Sequence, residues 1–183
     1  MDARFRALKA ILGSSGGTGG HSIGPVQVEG EWFNIPSRIY EPEVLAHAAN
    51  ILPEANRAIV ACLYTRHHDG FVREREVLKI LPVNEPWVPP FVVQLAGEYV
   101  VQIIEQMYAN VDLMPLDCYA RFAADNPGFI DLTKARAISY WDCYYRRDFP
   151  QFGHYPGFQF LNALGLWEPR TSRRLKFSTA SAN

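Results

Sequence analysis

The run Pro89-Pro90-Phe-Val-Val-Gln94-Leu-Ala-Gly97-Glu98-Tyr-Val-Val-Gln102-Ile-Ile-Glu105-Gln-Met-Tyr108-Ala109 decides how this chain folds. Gln94, Glu98, Gln102 and Glu105 fall at i, i+4, i+8 and i+11. At helical spacing they make one narrow polar stripe, and most of the remaining surface of the cylinder is apolar. A helix of that kind is surrounded by others, so the spacing predicts a single helix over 90–109 at the centre of a helical bundle. The prolines fit its entry, where a missing N–H costs nothing. Gly97 costs about 1 kcal/mol against alanine in a helix interior, and its expected return is a close crossing with a neighbour.

Working outward, Asp69 stands where it can cap a helix over about 71–81 that Pro82 ends. Pro53-Glu54 opens a helix to Tyr64, and Glu41-Pro42-Glu43 opens one reaching Leu52. Downstream, helices are expected at about 115–124, at 131–147 with Asp131 or Thr133 near its start, and at 157–164 before Gly165. Only Val26 to Ile35 alternates apolar and polar residues, on both sides of Gly30, as a hairpin would. Two strands alone are marginal, so the hairpin must lie against helices. The expected fold is mainly α: a single-domain helical bundle of about seven helices with a small N-terminal β-hairpin. Its expected organisation is a short helix over 1–12, a Gly-rich linker over 13–25, flexible by composition, a helical domain over 26–168 with the hairpin at 26–36, and a basic, mobile tail over 169–183.

The 183 residues, 48% hydrophobic and 20% charged, suit one globular domain. The net charge of -1 hides an uneven distribution, with +4 over 169–183, +2 over 1–12 and -7 between them. An acidic body suits a basic protein surface better than nucleic acid. Arg146-Arg147 and the tail from Arg170 to Lys176 are the basic segments nucleic acid would need, and that reading ranks below the others. No apolar run reaches the roughly 18 residues of a membrane span. The block Met1 to Leu12 is too short and interrupted for a signal peptide, which points to the cytoplasm. Cys62, Cys118 and Cys143 form no CxxC pair, against a disulfide framework or zinc knuckle. Gly13 to Gly20 lacks the preceding strand and terminal Gly-Lys-Ser/Thr of a phosphate loop. No catalytic residue and no cofactor is implied by these patterns.

The segment Asp69-Gly-Phe-Val72-Arg73-Glu-Arg-Glu-Val77-Leu-Lys-Ile-Leu81 resembles the second half of a HEAT repeat. That resemblance implies HEAT-like helix packing, with Asp69 as a cap and Arg73 paired to an acid of a neighbouring unit. It covers 69–81 alone, and no second copy recurs at a fixed spacing. More widely, Arg66-His-His-Asp-Gly-Phe-Val-Arg-Glu-Arg75, Pro90 to Tyr99 and Tyr155-Pro-Gly-Phe158 are similar to uncharacterised bacterial helical proteins of toxin and immunity loci. The resemblance implies an acidic surface that occupies a toxin's basic cleft. The pair His68-Asp69 resembles the metal-binding dipeptide of HD-type phosphohydrolases, which would add His47 upstream and Asp112 or Asp117 downstream. The alternative makes Asp69 a helix cap and His67 and His68 turn residues. Glu98 with Arg66, Arg73 or Arg136 is a candidate buried polar network.

The functional expectation is a non-enzymatic protein-interaction module, an immunity or adaptor protein that binds a basic protein partner. Glu98, Glu105, Asp112 and Asp117 are its candidate charges, and Trp87 and Tyr108 its candidate aromatic anchors. The alternative is a metal-dependent phosphohydrolase using His47, His68 and Asp69.

Overall fold

The prolines of the central run open a helix as expected, but that helix stops before the polar stripe is complete. In the computed structural model, which describes residues 6–8, 10, 24–40, 42 and 52–167, the run is two helices, Pro89–Ala96 and Val101–Ala109. Every residue of the first is buried. Gly97 N and Glu98 N donate to the carbonyls of Gln94 and Leu95, both at 3.1 Å, which tightens the last turn. Val100 is then extended (φ -85°, ψ 93°) and the second helix starts afresh. The expectation of one continuous helix over 90–109 is corrected here. The stripe divides accordingly, with Gln94 and Glu98 buried and Gln102 and Glu105 exposed.

In chain order the remaining elements are β1 (Pro25–Val28), β2 (Glu31–Asn34), α1 (Glu54–Tyr64) and α2 (Gly70–Ile80), before the two halves of the run, α3 (Pro89–Ala96) and α4 (Val101–Ala109). They are followed by a 3-10 turn at Val111–Leu113, α5 (Leu116–Asp125), α6 (Pro127–Tyr140), a π-turn at Trp141–Tyr145, a second 3-10 turn at Phe152–His154 and α7 (Pro156–Ala163). The protein is mainly helical, with a two-stranded antiparallel hairpin near its N-terminus.

Contacts with α4, α5, α6 and α7 surround α3, and α4 packs closely on α7. Phe91, Val92 and Leu95 join Ile104, Met107, Tyr119 and Phe160 in one core, each inaccessible to solvent. Residues 6–8 and 10 are helical, and Leu8 is buried in that same core. The expected close crossing at Gly97 is present: a Cβ there would lie 3.3 Å from both Thr133 Cγ2 and Thr133 O of α6. Any larger side chain would push the two helices apart.

Hairpin register follows from its turn. Glu29 (φ 50°) and Gly30 (φ 83°) form a two-residue loop with both φ positive, the hand that matches strand twist. Val26, Val28 and Phe33 face the core and Trp32 faces outward. Asn126 holds the hairpin on the bundle, its Oδ1 accepting from Gln27 N (2.7 Å) and its Nδ2 donating to Gln27 O (2.8 Å).

That duty explains a second difference. α6 begins at Pro127, four residues before Asp131, because Asn126-Pro127 ends α5 and places proline in a first turn. Thr133 lies inside the helix, its hydroxyl donating to Phe129 O at 2.9 Å. α6 also gives way to the π-turn at Trp141, short of 147. By contrast α2 starts where expected: Asp69 Oδ1 accepts from Phe71 N at 2.8 Å. An Asp69→Ala variant should lose about 1 kcal/mol of stability. Urea unfolding at constant m-value measures this, and an unchanged midpoint would show that the cap contributes nothing.

The Gly-rich run 13–20, the helix expected up to Leu52 from Tyr40 and the tail 169–183 fall outside the described residues or nearly so. Among the described residues, no helix is long and apolar enough to cross a membrane.

Candidate functional site

The break between α3 and α4 exists around one side chain. Glu98, 7% exposed, turns inward from the break and meets three arginines from three other parts of the chain. Arg38, in the extended segment after β2, forms a two-pronged pair: Nη1 donates to Oε1 and Nη2 to Oε2, both at 2.9 Å. Arg66 Nη2, from the turn after α1, donates to Oε1 at 2.6 Å. Arg73 Nε, from the first turns of α2, lies 3.4 Å from Oε2 without hydrogen-bond geometry.

Backbone carbonyls take up much of the remaining donor capacity. Arg66 donates to the carbonyls of Pro36 (3.1 Å), Ser37 (2.8 Å) and Thr65 (3.3 Å). Arg73 Nη1 donates to those of His67 (2.8 Å) and His68 (2.9 Å). A short bridge adds to this, with Ile39 N donating to Arg66 O (2.8 Å) and His68 N to Ile39 O (2.9 Å). The cluster therefore ties the segment after the hairpin, the α1–α2 turn and the central break into one unit. On the other side of the break, the Tyr145 hydroxyl donates to Tyr99 O and accepts from Val101 N (3.4 Å), closing groups the interrupted helix leaves open.

Burial pushes the Glu98 carboxyl up, but the charges of Arg66, Arg38 and Arg73 outweigh it and hold the carboxyl below its ordinary value. For Arg66 and Arg73 burial is the larger influence and lowers both, with Glu98 opposing it. Glu98 is thus ionised, desolvated and fully engaged. It offers nothing to a partner's basic surface, which corrects its place among the candidate binding charges. Of the expected partners Arg66 and Arg73 are found beside Glu98 and Arg136 is not, and Arg38 joins them.

Trp87 requires the same correction as an aromatic anchor. It is 1% exposed and belongs to the core. The other four candidates, Glu105, Tyr108, Asp112 and Asp117, are exposed. They line the end of α4, the 3-10 turn and the start of α5, together with Leu113 and Leu116, 59% and 45% exposed, which the sequence reading does not single out. A residue count at helical spacing could not find these two leucines, because they sit in and just after the turn that interrupts the periodicity.

The metal-binding alternative is placed only in part, since His47 lies outside the described residues. Asp69 serves as the cap of α2, and its own N–H donates to His67 Nδ1 at 3.1 Å. The His68 ring stacks on Tyr40 with centroids 5.3 Å apart and lies 4.3 Å from the His67 ring. Among the described residues, no three of His, Cys, Asp and Glu come together as ligands for a metal ion. Cys62 and Cys118 are buried, and burial raises both thiols, Arg121 opposing it at Cys118. Cys143 is exposed.

Compared with known proteins, the chain matches no family model, no curated protein and no solved structure, so the reading of these surfaces rests on their own geometry.

Proposed function

We propose that the chain is a non-enzymatic protein-interaction module, an immunity or adaptor protein, which receives a basic protein partner on the face running from Glu105 to Asp117. One observation carries this reading. Three large apolar side chains, Tyr108, Leu113 and Leu116, are 39%, 59% and 45% exposed within a few residues of the exposed acids Glu105, Asp112 and Asp117. From Ile80 to Ala120 the chain holds no lysine, arginine or histidine, and Arg121, one turn after Asp117 on α5, is the first base beyond that stretch. Apolar anchors inside a rim of one charge sign are what a complementary protein surface needs: the apolar atoms supply burial, and the rim steers and orients the encounter. Under this reading the face would enter the basic cleft of a toxin, and the meeting would take place in the cytoplasm.

The test uses the full chain and a lysine- and arginine-rich peptide carrying one bulky apolar residue, titrated calorimetrically at two salt concentrations. The expected result is binding that weakens with salt and falls about tenfold in the Asp112→Lys/Asp117→Lys variant. Equal affinity of the variant and the parent would remove this face from consideration.

A further inference from the structure

The Glu98 cluster is unbalanced. Three guanidinium groups surround one carboxylate, and among the described residues no other acid pairs with Arg38, Arg66 or Arg73. Two positive charges are therefore left over in a place where two of the three arginines are 0% and 1% exposed at the side chain. Carbonyl dipoles soften that cost without cancelling the charge.

Arg38 is the member through which the surplus reaches the surface, with its side chain 26% exposed. It presents its end-on edge to Glu98 and donates its outer Nη1–H to Ser37 O at 2.7 Å. A guanidinium has five N–H donors in a rigid fork. The two that remain, Nε–H and the second Nη2–H, form the side-on edge and make no hydrogen bond among the described residues. Parallel donors of this kind match two oxygens of one tetrahedral or planar oxyanion. Arg38 is held rigidly, since Glu98 grips the other edge and Ile39 is bridged on both sides to the α1–α2 turn.

We propose that the side-on edge of Arg38, backed by Arg66 and Arg73, is a binding site for a phosphomonoester dianion. A doubly charged group fits the surplus of two, and a carboxylate meets only half of it. This site is separate from the acidic face of α4 and α5, and neither reading depends on the other.

Inorganic phosphate is the probe. The full chain is titrated at pH 7.5 and constant ionic strength while the Arg38 Nε–H resonance is followed by NMR, with acetate titrated in parallel. Saturable displacement of that resonance by phosphate, with a response to acetate at least about tenfold weaker, is expected. Arg38→Lys, which keeps the charge and removes the fork, should weaken phosphate at least about tenfold by calorimetry. Glu98→Gln, which raises the surplus to three, should bind phosphate more tightly. If either variant fails to fold, the resonance titration of the parent protein still decides. A phosphoserine peptide and a nucleoside monophosphate, compared at equal concentration, distinguish a protein-borne phosphate from a small-molecule one. Absence of saturation, equal responses to phosphate and acetate, or undiminished binding by Arg38→Lys would overturn the proposal.

Discussion

Replacing Glu98 by alanine should cost about 3–5 kcal/mol of folding stability, a large share of the total for a domain of this size. The loss is not that of one contact. Removing the carboxylate leaves three guanidinium groups facing one another, two of them with almost no access to water. Uncompensated buried charge is among the few single changes able to produce an effect this large. Glu98→Gln separates the contributions, because it keeps the shape and one acceptor while removing the charge. It should fall between the parent and alanine. Urea unfolding measures both, and a loss under about 1 kcal/mol for the alanine variant would mean that the cluster does not hold the break.

The same residue sets an acid limit. The folded value of Glu98 lies below its unfolded one, so its stabilisation is complete above about pH 4.3, the ordinary glutamate value, and is lost as pH falls through the lower folded value. In Glu98→Gln that part of the acid sensitivity should vanish.

Trp87→Ala should lose a comparable amount, about 3–5 kcal/mol. The indole is 1% exposed and lies in the core cluster between the end of α2 and the start of α3. Deleting it removes a large apolar area and opens a cavity that the neighbouring helices can only partly fill. Its Nε1–H is buried without an acceptor among the described residues, so Trp87→Phe should cost less, because the lost volume is offset by removal of an unsatisfied donor. Thermal and urea unfolding read this directly. A Trp87→Ala variant of parental stability but weakened binding to the basic peptide would instead make Trp87 the surface anchor that the sequence suggests.

Local signals made several elements legible. Pro53-Glu54, Asp69 and Gly30 each act within a few residues of themselves, and α1, α2 and the hairpin turn lie where those signals place them. The break at 97–100 is a different matter. Helical periodicity continues through it, from Gln94 to Glu105, with Gly97 the one local weak point, and the partners that Glu98 meets there are distant in sequence: Arg38 is 60 residues from Glu98 and Arg66 is 32. The start of α6 failed for another reason. Asn126-Pro127 is the operative boundary, yet Asp131 and Thr133 look more like a cap in isolation, and the Asn126 side chain is committed to Gln27 and to the Phe122 carbonyl of α5 instead of capping α6.

The site divides along the same line. Exposure of Glu105, Tyr108, Asp112 and Asp117 follows from their place on the outer side of α4 and the turn beyond it. Burial of Trp87 and Glu98 follows from packing that no local pattern encodes. Arg38 carries no signal at all, being one polar residue in a short extended segment whose partner arrives from the middle of the bundle.

The most direct test of this account is the titration of the Glu98 carboxyl, followed by 13C NMR of the selectively labelled protein. Three arginines around a buried carboxylate predict that it stays ionised below the ordinary glutamate value, about 4.3. A midpoint at or above that value would show that burial prevails over the arginines. The clasp across the helix break would then be contradicted.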